Sequence, residues 1–243
     1  MFRWVVVIVL SFSLTSLCAQ DKGFEKPDYK NIERVTKDKN SEYYYPKLFN
    51  RYLSNDTTLS VQQYKMLYYG YFFQDGYNPY GTVSVFKDSL KALFDKDSLS
   101  DDDRRNVMRY TNEDLKTQPF SLRDLYRLYR FYHVAGDETK SESFANKLEM
   151  LSKAIASTGD ARTDTTGLHV LSVEDEYTIV SLLGYELGGA QKPTGNQCDY
   201  LTLKKNDDGL EGLYFDVKQI FASYEKATQG TGKDQLKDDK NKK

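Results

Sequence analysis

Cysteine, histidine, tryptophan and proline are all scarce in this chain: two, two, one and five residues among 243. Two histidines cannot build a multi-histidine zinc site. No HExxH, nucleophile elbow or dinucleotide-binding fingerprint is present either, so neither a metal nor a cofactor is expected. A basic surplus is also missing. Thirty-four Lys and Arg stand against thirty-six Asp and Glu, a net charge of −2, which leaves nothing to neutralise phosphates and argues against nucleic acid as a partner. After the first twenty residues no second long apolar run follows, so no transmembrane segment is expected in the mature chain.

The first twenty residues read as a secretory signal. Arg3 gives the positive start, Val5 to Leu10 begin the apolar stretch, and Leu17-Cys18-Ala19-Gln20 offers cleavage after Ala19. Lipid attachment at Cys18 is the competing outcome, disfavoured because bulky Leu17 occupies the place of a small residue. The expectation is an exported protein, periplasmic or extracellular. With Cys18 removed, Cys198 has no disulfide partner, and the pattern around it suits a small buried residue on a strand better than a reactive thiol.

What the chain has in quantity is tyrosine, twenty residues of it, in a composition that is 39% hydrophobic and 29% charged. Large rings with polar tips suit packed helices and recognition faces alike. From residue 28 to about 156 the apolar period is helical. Weak stripes mark short helices near 28–39 and 43–53. Ser60-Val61-Gln62-Gln63 is a capping-box pattern, with Tyr64, Leu67, Tyr68 and Tyr71 on one face behind it. Further helices are predicted near 83–94, 100–116, 120–134 and 143–156. The Asp101–Asp103 triplet reads as first-turn carboxylates complementing a helix end rather than as a metal cluster. His133 beside Tyr129 and Tyr132 reads as structural. The alternation of helix, Gly-Asp turn and helix predicts a helical-hairpin, tetratricopeptide-like array.

Past a polar linker at 162–166 the period changes. A short strand at 168–171, a helix opened by Ser172-Val173-Glu174-Asp175 with Tyr177, Val180 and Leu183 inward, and a second strand at Tyr185-Glu186-Leu187 are expected. Tyr200, Thr202 and Lys204 alternate with Leu201 and Leu203, the mark of a half-buried strand. Asn206-Asp207-Asp208-Gly209 turns the chain into a returning strand at 213–217, and a helix with Ile220, Phe221 and Tyr224 inward closes it. The predicted class is α+β: signal 1–19, helical lobe 20–160, a small α/β unit 161–226 with a short antiparallel or mixed sheet, and a disordered polar tail 227–243. Gly230-Thr231-Gly232-Lys233 is not a phosphate loop, since Ala227 and Asp234 occupy required positions.

His169, Asp199, Tyr200, Tyr214 and Asp216 are the candidate catalytic residues, with Glu174 and Asp175 nearby, because polar groups at strand ends and helix starts around one small sheet often serve acid–base work. Glu174 and Asp175 are also explained by the helix end they open, and Asp216 by capping the last helix. Gly188, Gly189 and Gln197 are candidate ligand-binding residues in a glycine-rich hairpin tip that also contains Gly195.

Tyr43-Tyr44-Tyr45-Pro46-Lys47-Leu48, Asn55-Asp56-Thr57-Thr58-Leu59, Leu67-Tyr68-Tyr69-Gly70-Tyr71, Tyr77-Asn78-Pro79-Tyr80, Cys198-Asp199-Tyr200-Leu201-Thr202 and Glu211-Gly212-Leu213-Tyr214-Phe215-Asp216 together resemble the secreted bacterial family described as domain of unknown function 4919. The resemblance spans about Asp28 to Glu225. It implies a Gram-negative envelope setting and brings no established catalytic residues. Two functions are therefore expected in order: a non-enzymatic envelope protein presenting a tyrosine-rich groove to a protein partner or small ligand, then a hydrolase-like or ligand-processing enzyme using the C-terminal polar cluster. Convergence of the five candidates on one concavity would favour the second.

Overall fold

A computed structural model describes residues 23–78, 84–96 and 98–238, with side chains of the last helix described to Thr228. Residues 1–22, on which the expected signal with Arg3 and Cys18 falls, the stretch from Pro79 to Val83, Asp97 and the extreme C-terminus lie outside the described residues.

Helices come first: α1 (Tyr29–Lys37), α2 (Tyr45–Leu53), α3 (Val61–Gly70) with a short 3-10 turn Tyr71–Phe73, α4 (Lys87–Phe94), α5 (Asp101–Thr117), α6 (Leu122–Val134) and α7 (Glu138–Ala156). Their starts are written in side-chain chemistry. Ser60 and Gln63 satisfy each other's backbone N–H groups at 3.2 and 3.0 Å, and Ser100 and Asp103 repeat the arrangement. The acidic triplet is thereby accounted for as helix opener. Asp137 caps α7, so that helix begins five residues earlier than the Ser143 expected from periodicity. Gly136, at φ +74°, turns the chain between α6 and α7, which pack as a hairpin; α5 packs on α6, and α3 on α7.

The C-terminal part contains β1 (Leu168–His169), α8 (Val173–Leu182), β2 (Lys192–Pro193), β3 (Cys198–Thr202), β4 (Gly212–Asp216) and α9 (Lys218–Asp238). The sheet order is β1-β4-β3-β2, with β1 parallel to β4 and the other pairs antiparallel. Three expectations need correcting. Residues 185–187 make no strand: Gly184 at φ +81° closes α8, and only Leu187 bridges to Leu203, so the fourth strand falls at β2. Tyr177 and Phe221 face outward, 40% and 45% exposed. The last helix continues past Lys226 to Asp238, through residues assigned from composition to a disordered tail.

Register sorts the sheet's side chains. Leu168 and Phe215 are partners, as are Leu201 and Leu213, and this inner face joins the helices in one continuous core. Tyr45, Tyr52, Tyr64, Tyr68 and Tyr69 belong to the same core. Each buried phenol needs a polar partner to offset desolvation. Several find one in the segment linking β1 to α8. Tyr68 Oη donates to Asp175 Oδ2 at 2.8 Å and accepts from the Leu171 N–H at 3.1 Å. Tyr69 donates to the His169 carbonyl at 3.0 Å, and Tyr77 to the Leu171 carbonyl at 3.1 Å. Tyrosine hydroxyls from α3 and the loop after it thus tie down the turn that enters α8.

Candidate functional site

The five candidates around the sheet do not meet in one concavity. Because β3 and β4 pair Cys198 with Asp216 and Tyr200 with Tyr214, these four share the outer face, while Asp199, opposite Phe215, lies on the inner one. Tyr200 and Tyr214 pack ring on ring, centroids 4.7 Å apart, and the Tyr200 ring crosses Gly212 where a Cβ would stand. Only glycine admits that ring.

His169, Asp216 and Cys198 occupy three neighbouring strands, which puts the acid between the thiol and the imidazole. A relay needs the imidazole against the thiol. Burial pushes the Cys198 thiol up to about 11, and its Sγ donates to the Asp164 carbonyl at 3.1 Å. Burial also holds His169 down at about 4 despite Asp216 at 3.8 Å, so the imidazole is neutral at pH 7. Its Nδ1 lies 3.1 Å from Tyr29 Oη, while Nε2 has no hydrogen-bond partner. Asp216 caps the start of α9 through the Lys218 N–H at 3.1 Å.

On the inner side, Asp199 adjoins Glu176 of α8, which is fully buried and shares a side-chain hydrogen bond with it. Burial first, then the Asp199 charge, raises Glu176 to about 9, so it carries a proton at neutral pH. Gln191 donates its amide to Asp199 and accepts from Tyr177 at 2.8 Å, fastening the β2 hairpin to α8. Within that hairpin, Gly188 is required because the Leu203 carbonyl oxygen lies 2.5 Å from the place of its Cβ, Gly189 stands in open space, and Gln197 adopts φ +55°. Gly188, Gly189 and Gln197 line neither of the two cavities described below.

A sizeable concavity lies elsewhere. A cleft of about 660 Å³ opens between α4, the turn from α5 into α6, the turn from β1 into α8, and α9. Tyr71, Tyr77, Phe120, Leu171, Ile220 and Tyr224 give it ring and aliphatic surface. Tyr71 and Phe120 meet edge to face at 5.4 Å, and Tyr71 and Tyr77 at 5.8 Å. Lys87, Lys91, Arg123 and Arg127 bring charge, answered by Asp95 and Glu174.

Two similar helix starts form part of the cleft wall. Ser121-Leu122-Arg123-Asp124 and Ser172-Val173-Glu174-Asp175 have the same S-x-x-D pattern, and in each the serine hydroxyl accepts the N–H of the aspartate three residues on. The Asp175 carboxylate accepts from the Leu122 N–H of the other helix as well as from Tyr68, and burial still pushes it up to about 7. Asp124, with no exposure, receives Arg127 Nη1 at 2.8 Å and the Arg123 Nε at 3.3 Å. Arg123 also pairs with Glu174, whose carboxyl is raised by burial against the pull of that guanidinium. Arg127 lies over the Phe94 ring at 5.0 Å. Of the sequence candidates only Glu174 and Asp175 reach this cleft. Lys87, Arg123, Arg127 and Tyr77 were not singled out, although the i, i+4 pair Arg123/Arg127 behind a serine cap was a readable signal.

A second, apolar cavity of about 110 Å³ lies between α7 and α8, lined by Leu148, Ile155, Leu168, Ile179, Leu182 and Leu213 among others. No group of three or more potential metal ligands occurs among the described residues, and no described helix is long and apolar enough to cross a membrane.

A family model described as a domain of unknown function (DUF4919) matches residues 30–226. No curated protein and no solved structure matches the chain.

Proposed function

Because this chain belongs to the DUF4919 family, whose description assigns no activity, its role has to come from its own geometry, and we propose that it is an exported envelope binding protein whose ligand occupies the cleft. The observation that carries this reading is the cleft itself. Its volume falls in the range of small-molecule sites, roughly 300–1,000 Å³, and it combines apolar ring surface with a few convergent polar groups. It lies where the helical part meets the C-terminal part, a usual location for such sites. The α5, α6 and α7 hairpins support the array reading, with the C-terminal unit closing one side of the cleft.

The test is a thermal-shift screen of the exported chain against glycans, peptides and nucleotides, repeated on Tyr77→Ala and Lys87→Ala. Compounds that raise the melting temperature should do so less in both variants. Undiminished stabilisation in both would overturn the cleft assignment.

A hydrolase-like reading has one arrangement in its favour: the Glu176–Asp199 pair holds one carboxyl protonated beside another, as acid–base chemistry requires. Neither residue lines the two cavities. Measurable turnover of any glycan or peptide, abolished by Glu176→Gln with the fold intact, would establish it over the binding reading.

A further inference from the structure

The cleft's lining says what sort of ligand it would take. Tyr71 and Tyr77 have their hydroxyl protons committed to backbone carbonyls, Tyr71 to Gly76 and Thr117 and Tyr77 to Leu171, so they offer the cleft chiefly ring surface. Such rings pack well against the C–H face of a sugar or another flat ring. Ser84, Thr117, Ser121 and Ser172 also line it; the first three give their protons to Asp114, the Asp114 carbonyl and Asp124, so what they offer a ligand's hydroxyls is acceptor capacity.

The charges are not balanced. Lys91 is paired with Asp95 at 2.6 Å, and Arg123 with Glu174 and Asp124. Asp175 turns its Oδ2 toward Tyr68. That leaves Lys87, exposed and without an ion pair among the described residues, and Arg127, which gives Asp124 only Nη1 of its guanidinium. A guanidinium has five N–H donors, so Arg127 keeps capacity for a carboxylate. The N-terminal turns of α6 and α8 also line the cleft and add positive potential to it. A chain of net charge −2 therefore brings one unpaired cation and the spare donors of a second to this cleft.

We propose that the ligand is an acidic saccharide of the uronate type, its ring against Tyr71 and Tyr77 and its carboxylates toward Lys87 and Arg127. This rests on the cleft being the binding site, and it adds the charge and the class of the ligand. A neutral sugar leaves Lys87 and the spare donors of Arg127 unanswered, and a bare inorganic anion makes no use of the rings.

The experiment is isothermal titration of the exported chain with three probes: trigalacturonate, its methyl ester and inorganic phosphate. Trigalacturonate should bind, weakening as salt is added, and the ester should bind about tenfold more weakly or worse, a loss of about 1.4 kcal/mol. Lys87→Ala, on an exposed side chain, should reproduce much of that loss without altering the melting temperature; Arg127→Ala is the second variant and is judged only if it folds. Equal binding of acid and ester, diminished by Tyr77→Ala, would overturn the charge assignment while leaving the cleft as the site. Phosphate displacing trigalacturonate at similar concentration would overturn the saccharide assignment. No binding of trigalacturonate overturns this proposal outright, and the thermal-shift screen then decides separately whether the cleft binds anything else.

Discussion

The cleft and the sheet are both rich in ionisable side chains, but the cleft keeps its cations at open space while the sheet's acid–base groups are shut away from water. Around the sheet His169, Glu176 and Cys198 are buried and held neutral at pH 7: the imidazole at about 4, the carboxyl at about 9, the thiol at about 11. In the cleft Lys87 is exposed, and Arg123 and Arg127 pair with carboxylates while still lining open space. Desolvation selects the uncharged form wherever water is excluded. Polar residues clustered along a strand are therefore as consistent with a neutral interior as with a working site. Solvent access separates the two cases, and sequence does not report it.

That contrast can be sharpened by substitution, beginning with the largest effect. Phe215→Ala, on the fully buried inner face of the sheet, should cost about 3–5 kcal/mol of stability in denaturant unfolding. A loss under 1 kcal/mol would mean that the sheet is not part of the common core. Next comes Tyr68→Phe, which strips the hydroxyl joining Asp175 to the Leu171 N–H and leaves both buried groups short of a partner. Roughly 1–3 kcal/mol should be lost, with the deficit shared between helical and C-terminal parts because one hydroxyl serves both.

Glu176→Gln tests the neutral interior through pH. Folded Glu176 keeps its proton to about pH 9, whereas the unfolded chain releases it near 4.5. Between these values the folded state holds one more proton, so this residue makes stability fall as pH rises. Asp175 acts in the same direction between 3.8 and about 7, and His169 in the opposite direction between about 4 and 6.5. Relative to the parent, the Gln variant should gain stability as pH is raised from 5 to 8, by at most about 1.4 kcal/mol per pH unit. Parallel pH profiles would mean that Glu176 is ionised in the fold. Smallest of all, Lys87→Ala at the cleft should change stability by less than about 0.5 kcal/mol, since its side chain is exposed and unpaired among the described residues. Only ligand binding should register it.

Much of the fold was legible in the sequence because its signals are local. The boxes at Ser60 and Ser100, the serine caps at Ser121 and Ser172, and the alternation from Tyr200 to Leu203 each occupy a few consecutive residues. Asp199 has the same parity as Leu201 and Leu203, which already places it toward the core. Its neighbour Glu176 comes from another element, and no spacing rule connects them. The strand expected at 185–187 failed for a comparable reason: its apolar alternation was sound, but closure of α8 at Gly184 left room for a single bridge. The cleft was the least legible feature. Two S-x-x-D starts fifty-one residues apart come together only through Asp175 accepting the Leu122 N–H and Tyr68 holding both Asp175 and Leu171. Long-range hydrogen bonds of that kind leave no periodic trace.

Hydrogen–deuterium exchange on the protein, with and without a compound that stabilises it, puts the cleft and the sheet in direct competition. Slowed exchange should appear at residues 71–78, 117–127 and 171–175, which border the cleft, with 188–200 and 212–216 unchanged. Protection confined to the hairpin and the two long strands would place the ligand on the sheet and contradict the account.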